Sequence, residues 1–261
     1  MRAIPPLGIF GALCLLGVSA PPAYADNLTG RFYMDFTTDF EYEEPGLMEQ
    51  DGDLLGLGVD LLYPMGERGE FRLDVRYRLG QTDYTGATQA GERATTDADD
   101  EIWDIRFLTG LRINPTFTPY TGLGYRQWDQ SLNDGTTASG GRALGYDRGH
   151  KYLYIPVGAR LAHDQQAWHF HLGGEVQPVL RGEAYADLPF GRGRFDMNEG
   201  YGAYVYGGVS YDLTDAVSLS GELYFQYWDM DESDSDTIAG FEFIEPSNRT
   251  RETGIRLGVN W

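Results

Sequence analysis

From residue 28 onward apolar and polar positions alternate with period two, and no stretch keeps the 3.6-residue period of an amphipathic helix. In the first segment Phe32, Met34, Phe36, Phe40 and Tyr42 fall on one face, and Arg31, Tyr33, Asp35, Thr37, Asp39 and Glu41 on the other. In the second, Leu55, Leu57, Val59, Leu61 and Tyr63 alternate with Gly56, Gly58, Asp60 and Leu62. In the third, Phe71, Leu73, Val75, Tyr77 and Leu79 stand against Arg72, Asp74, Arg76, Arg78 and Gly80. In the fourth, Trp103, Ile105, Phe107, Leu111 and Ile113 stand against Asp104, Arg106, Gly110 and Arg112. Similar patterns over about 118–130, 151–162, 167–182, 200–212, 216–229 and 250–261 bring the expected strands to ten.

The connections alternate in length. Short ones fall at Pro64–Gly69, Asn114–Thr118, His163–Gln166 and Leu213–Asp215, and long ones at about 43–53, 85–100, 130–150, 183–199 and 230–249. An even number of strands with short turns at one end and long loops at the other is the layout of a bacterial outer-membrane barrel. The predicted fold is therefore all-β: a ten-stranded antiparallel transmembrane β-barrel with short periplasmic turns and long extracellular loops. A soluble barrel would turn its Leu, Val and Phe face inward. Here the polar face mixes Arg with Asp and Glu, as a confined lumen requires, and Tyr42, Tyr63, Tyr77 and Trp103 suit an interfacial girdle.

The first 25 residues read as a leader. Arg2 is basic, Leu7 to Val18 is apolar, and Ala23-Tyr24-Ala25 supplies a small-x-small end, so cleavage is expected before Asp26, leaving 26–261 as the barrel. The apolar run is too short for a spanning helix. Leu13 precedes Cys14, the single cysteine, where a lipoprotein signal would carry a small residue. The chain ends in alternation on Trp261, which resembles the C-terminal signal read by the barrel assembly machinery. Expected partners are that machinery and the outer membrane with its lipopolysaccharide, and the expected state is a monomer.

Charge narrows the function. With 40 acidic and 20 basic residues the net charge is −20, which disfavours nucleic acid and favours a basic extracellular ligand. The inward face carries Arg31, Arg72, Arg76, Arg78, Arg106, Arg112, Arg126, Arg160, Arg181 and Arg256 against Asp35, Asp39, Glu41, Asp60, Asp74, Asp104, Glu175, Glu222 and Glu252. These nearly balance, so the acidic excess belongs to the long loops. Eight strands are just filled by side chains and a water channel needs about sixteen, so ten strands with Tyr152, Tyr154, Tyr204, Tyr206 and Trp228 also inward predict a mostly filled lumen. Gly122, Gly124, Gly207 and Gly208 read as gaps for neighbouring Tyr rings.

The segment Arg142-Ala-Leu-Gly-Tyr146, just before the sixth strand, resembles a similar Arg-Ala-aliphatic-Gly-Tyr segment of the omptins, ten-stranded outer-membrane proteases. That resemblance implies water activation by an Asp-x-Asp pair near the top of strand three and an Asp-x-His pair near the top of strand seven. Here the first place reads Gln81-Thr-Asp83-Tyr-Thr85 and the second Glu183-Ala-Tyr-Ala-Asp187, with one aspartate and no histidine respectively. The remaining catalytic candidates are Asp83, His150 and Asp187. His169 and His171, about 7 Å apart on one strand face, form a candidate metal group with Glu175. The acidic run Asp229–Asp236 lacks the glycine a calcium loop needs at its sixth position, so no cofactor is expected beyond loosely held divalent cations at the acidic loops. The leading functional expectation is a non-enzymatic barrel with a binding or envelope-structure role. An omptin-like hydrolase with an altered site and a narrow selective channel stay open as alternatives.

Overall fold

The computed structural model describes residues 28–88, 91–188 and 191–261, so the leader, its cleavage point and Cys14 lie outside the described residues. Ten wall strands follow in chain order: β1 (Thr29–Glu44), β2 (Met48–Met65), β3 (Gly69–Ala87), β4 (Arg93–Leu111), β5 (Phe117–Leu132), β6 (Asp147–Tyr154 and Val157–Gln165, one strand in two pieces), β7 (Trp168–Leu188), β8 (Gly200–Thr214), β9 (Val217–Met230) and β10 (Asn248–Asn260). Each pairs antiparallel with its neighbours in sequence, and β1 pairs with β10 to close the ring. Closure leaves no open edge, which a sheet within lipid cannot carry. Trp261 finishes the seam: its N–H donates to Gly30 O at 2.9 Å and its carbonyl accepts from Gly30 N at 3.0 Å.

The polarity is inside out. Phe32, Leu57, Phe107, Leu123, Leu172, Leu223 and Leu257 are exposed on the outer wall, while Asp35, Arg78, Arg126 and Glu252 are buried within. In water such a coat would be a very large apolar patch; in a bilayer it faces acyl chains. Trp103 packs on Tyr77 with ring centroids 4.4 Å apart, and Trp168 on Tyr211 at 4.7 Å near the short-turn end.

About ten residues cross a bilayer, yet β2, β3, β4 and β7 have 18, 19, 19 and 21. Much of each long connection is thus strand continued beyond the membrane. The segment 43–53 is a hairpin turning at Pro45–Leu47, and 183–199 contains the added strand Gly191–Asp196 paired back on β7. Shorter pairs, Gly135–Thr137 with Arg142–Ala143 and Asp236–Ile238 with Phe241–Phe243, decorate the same end.

Two bulges change which residues face inward. In β1, Thr37 and Asp39 pair with the consecutive Gly254 and Thr253, so Thr38 is the extra residue. A one-residue insertion flips every later side chain. Phe40 and Tyr42 therefore point into the lumen, and Asp39 and Glu41, expected inside, are exposed on the outer wall. In β7, Val179 and Arg181 pair with the consecutive Tyr154 and Leu153, beside the break at Ile155–Pro156 where proline supplies no ladder N–H. Arg181, also expected inside, consequently faces outward and is exposed.

Of the four glycines expected beneath Tyr rings, only Gly124 is so placed. A Cβ on it would stand 2.2 Å from the Tyr154 ring, whereas Gly122 lies against Phe107 O, Gly207 against Leu172 and Gly208 against Gly221 O and His171. Gly124→Val should lower stability by about 1–3 kcal/mol through overpacking, and Gly207→Ala, whose nearest neighbour is a flexible Leu172 methyl at 3.3 Å, should change it far less. Urea unfolding in lipid vesicles, followed by tryptophan fluorescence, checks the contrast.

Candidate functional site

The lumen divides into three levels. At mid-height a continuous ion-pair network spans it. Alternation on β3 aims Arg76 and Arg78 inward at Asp104 of β4: Arg76 Nη2 donates to Asp104 Oδ2 at 2.8 Å and Arg78 Nη2 at 3.0 Å, while Arg126 Nη1 of β5 reaches Oδ1 at 3.3 Å. Arg78 Nη1 also donates to Glu252 of β10 at 2.6 Å, and Arg126 bonds the other Glu252 oxygen. Asp35 of β1 accepts from Arg256 Nε at 3.0 Å, from Arg76 Nη1 at 3.4 Å and from Tyr224 OH at 2.8 Å. Just below, Arg106 bridges Asp74 and Glu175, the latter at 2.9 Å, and Tyr33 OH and Tyr120 OH complete those carboxylates. The network thus ties β1, β3, β4, β5, β7, β9 and β10 across the bore. Between Asp104, Tyr154 and Gln226 the network leaves a void of about 10 Å³, about one water's room.

Above the network, toward the long-connection end, the lumen is aromatic. Phe40, Tyr42 and Trp128 pack edge to face, with centroids 5.5 and 4.8 Å apart, and Tyr152, Tyr154 and Trp228 join Met197, Met230 and Ile238. Asp100, buried here without a cation, accepts from Gln50, Thr82, Trp128 and Gln130. Arg148 closes this level through Glu44 at 2.8 Å and Gln130 at 2.6 Å. Over it, the β9–β10 connection folds inward: Glu245 meets His150 Nε2 at 3.1 Å, held by its own N–H donating to Ser233 Oγ at 2.8 Å. Burial pushes the Glu245 carboxyl up, but the hydrogen bond from His150, its charge and that of Arg148 outweigh burial and hold it below the usual carboxylate range.

The structure does not bring the catalytic candidates together. Asp83 points outward from β3, His150 lies inside at 1% exposure and stacked on Trp128 at 5.3 Å, and Asp187 pairs with Arg192 at 3.3 Å on the β7 hairpin. His150 finds Glu245 instead, 95 residues away in a connection without periodic pattern, so no local sequence signal points to it. The metal candidates are likewise divided. His169 sits between Asp164 and Asp212, each at 2.9 Å, His171 bonds Glu222 at 2.8 Å, and Glu175 belongs to Arg106 and Tyr120. Among the described residues no three His, Cys, Asp or Glu side chains are grouped as metal ligands. Arg112, expected in the lumen, follows the last residue of β4 and lies half-exposed at the rim, 3.9 Å from Glu70.

Below the network, at the short-turn end, a vestibule of about 420 Å³ opens outward. Arg31, Arg72, Arg160 and Arg256 line it, each paired with a carboxylate: Arg31 with Glu222 at 3.2 Å, Arg72 with Asp60 at 3.0 Å, Arg160 with Glu70 at 3.0 Å and Arg256 with Glu222 at 3.0 Å.

The outer membrane protein beta-barrel domain model matches residues 10–177, well over half of the chain. The chain belongs to that family. Membership accounts for the inside-out wall and places the protein in the outer membrane. Among solved structures, this outer-membrane barrel is similar to the outer membrane protease OmpT from Escherichia coli, with TM-score 0.65 and 12% identity over 90% of this chain and 96% of that one. It is also similar to the translocator domain of the autotransporter NalP from Neisseria meningitidis, with TM-score 0.46 and 8% identity over 90% and 88%. A third is the Pseudomonas putida toluene transporter TodX, with TM-score 0.36 and 10% identity over 90% of this chain and 89% of that one. No curated protein matches the chain. At such identities the first likeness speaks for an omptin-like fold alone.

Removing one partner from a buried ion pair strands the other charge and costs about 3–5 kcal/mol, whereas exposed pairs contribute under about 1 kcal/mol. Glu252→Ala should therefore destabilise the barrel severely, and Glu41→Ala, which removes the exposed Arg251 pair at 3.4 Å, should leave it nearly unchanged. Urea midpoints in vesicles measure both.

Proposed function

We propose that this is a closed, non-catalytic outer-membrane barrel that acts through its extracellular end, as an envelope-structure protein that binds basic ligands. The observation that carries the reading is closure of the lumen at the level of Asp104 and Glu252, with the aromatic level and Glu245 stacked above it. Such a bore suits a rigid scaffold better than a passage. The separation of Asp83, His150 and Asp187 supports a non-catalytic reading, because general-base work needs the base within hydrogen-bond reach of the group it activates.

The outer wall supports a binding role. Above the apolar belt the register sets Glu41 beside Asp51, Asp51 beside Asp83 and Asp83 beside Asp97, a row of outward carboxylates across β1 to β4, with Glu43 beside Glu49 in the next row. Like charges directly opposite each other destabilise a sheet, and a basic peptide, or divalent cations bridging to lipopolysaccharide phosphates, would relieve that repulsion. The reading includes removal of the leader after Ala25, recognition of Trp261 during assembly, and a monomer in the membrane.

Planar-bilayer recording should show little or no steady conductance; large stable openings would favour the channel alternative. Incubated with dibasic fluorogenic peptides in the presence of lipopolysaccharide, the barrel should bind them with an affinity that falls as salt rises past about 0.15 M, without cleaving them. Cleavage that disappears in His150→Ala would show a working active site and overturn the reading.

A further inference from the structure

The vestibule at the short-turn end is a blind pocket, sealed above by the mid-height network, and its charges are layered. The carboxylates sit deeper than the arginines they pair with: side-chain exposure is 4% for Glu222 against 13% for Arg31, 10% for Asp60 against 23% for Arg72, and 6% for Glu70 against 16% for Arg160. Each acid is thus more shielded than its guanidinium, although Asp60, Asp74 and Glu222 share the lining with the arginines. The guanidinium edges keep unused donors. Arg160 bonds both Glu70 oxygens through Nη2 alone. Arg72 reaches Asp60 through its buried Nε in an ion pair that lacks hydrogen-bond geometry, and each Arg31 Nη spends one N–H on Glu222 and keeps the other. Arg72 and Arg160 both line the pocket, the first paired with Asp60 and the second with Glu70. At the mouth, Asp164, Asp212 and Asp215 also line the pocket, and His169 bridges the first two at 2.9 Å each.

We infer that this vestibule is a binding site for a small oxyanion, a phosphate or carboxylate group presented from the periplasm, gripped by Arg31, Arg72 and Arg160. Guanidinium forks match the planar, paired oxygens of such groups and hold them more strongly than neutral donors do. About 420 Å³ accommodates a small organic molecule around the anion, and Tyr204 and Tyr206 offer it an aromatic wall. The inference is independent of the extracellular reading, since it concerns the opposite end of a bore that is closed between them.

The test uses the folded full barrel and inorganic phosphate as probe, titrated calorimetrically in a detergent without phosphate groups, with a second arm that reads thermal stabilisation in vesicles with and without phosphatidylglycerol. Saturable binding in detergent identifies a free anion as ligand; stabilisation seen only with phosphatidylglycerol identifies the lipid headgroup. In either arm Arg72→Gln and Arg160→Gln should each weaken the effect about tenfold, the weight of one charge-assisted hydrogen bond. Ser210→Trp, which fills the vestibule from a position that takes part in none of the ion pairs, should abolish it while the barrel stays folded. Absence of saturable binding in both arms, or binding that all three variants leave unchanged, would overturn the assignment.

Discussion

Asp104 is the residue on which the interior depends. Its two oxygens accept from three guanidiniums, those of Arg76, Arg78 and Arg126, which arrive from two different strands. Much of the apolar surface of a barrel in lipid is satisfied by acyl chains, and here apolar packing inside the bore is confined to the aromatic level above the network. At mid-height the bore is filled by polar groups, and polar groups removed from water must find partners or destabilise the fold. Glu252, Asp35 and Glu222 extend the solution around the ring, so that at mid-height cross-bore ion pairs do what ring packing does in the level above. One arrangement then does two things: it braces seven of the ten strands, and it blocks the path between the two faces of the membrane.

The alternation that fixes the wall was plain in the sequence because lipid on one side and charge on the other leave few compromises in β2, β3 and β4. Asp60, Asp74, Asp104 and Arg106 could be placed by parity alone. What parity cannot see is an inserted residue. Thr38 and Leu180 look like ordinary strand residues, yet each shifts everything beyond it by one, which exchanges Asp39 and Glu41 for Phe40 and Tyr42 and turns Arg181 out of the lumen. For the same reason part of the aromatic upper level was hidden: Phe40 and Tyr42 read as outer-face residues until the register was known, whereas Tyr152, Tyr154 and Trp228 read inward from parity.

The candidate sites were less legible than the wall for a different reason. His150 and Glu245 are joined by a long connection that folds back into the mouth, and no periodicity governs such a segment. The vestibule donors are likewise drawn from β1, β3 and β6, and the depth difference between each arginine and its acid exists only in three dimensions. The two ends of the bore consequently have different characters. The extracellular end is sealed with rings and surrounded by outward carboxylates, and the periplasmic end is an open cup lined with arginines and their paired acids.

Thiol accessibility tests the closure itself, in a chain whose single cysteine, Cys14, is replaced by serine. A cysteine introduced at Ser210 lies in the vestibule, and one at Gln226 borders the void within the network. With a membrane-impermeant thiol reagent supplied to each side of a proteoliposome in turn, Ser210→Cys should react from the periplasmic side and Gln226→Cys from neither. Rapid labelling of Gln226→Cys in the folded barrel would mean that water and solutes traverse the network, and that the lumen is a channel.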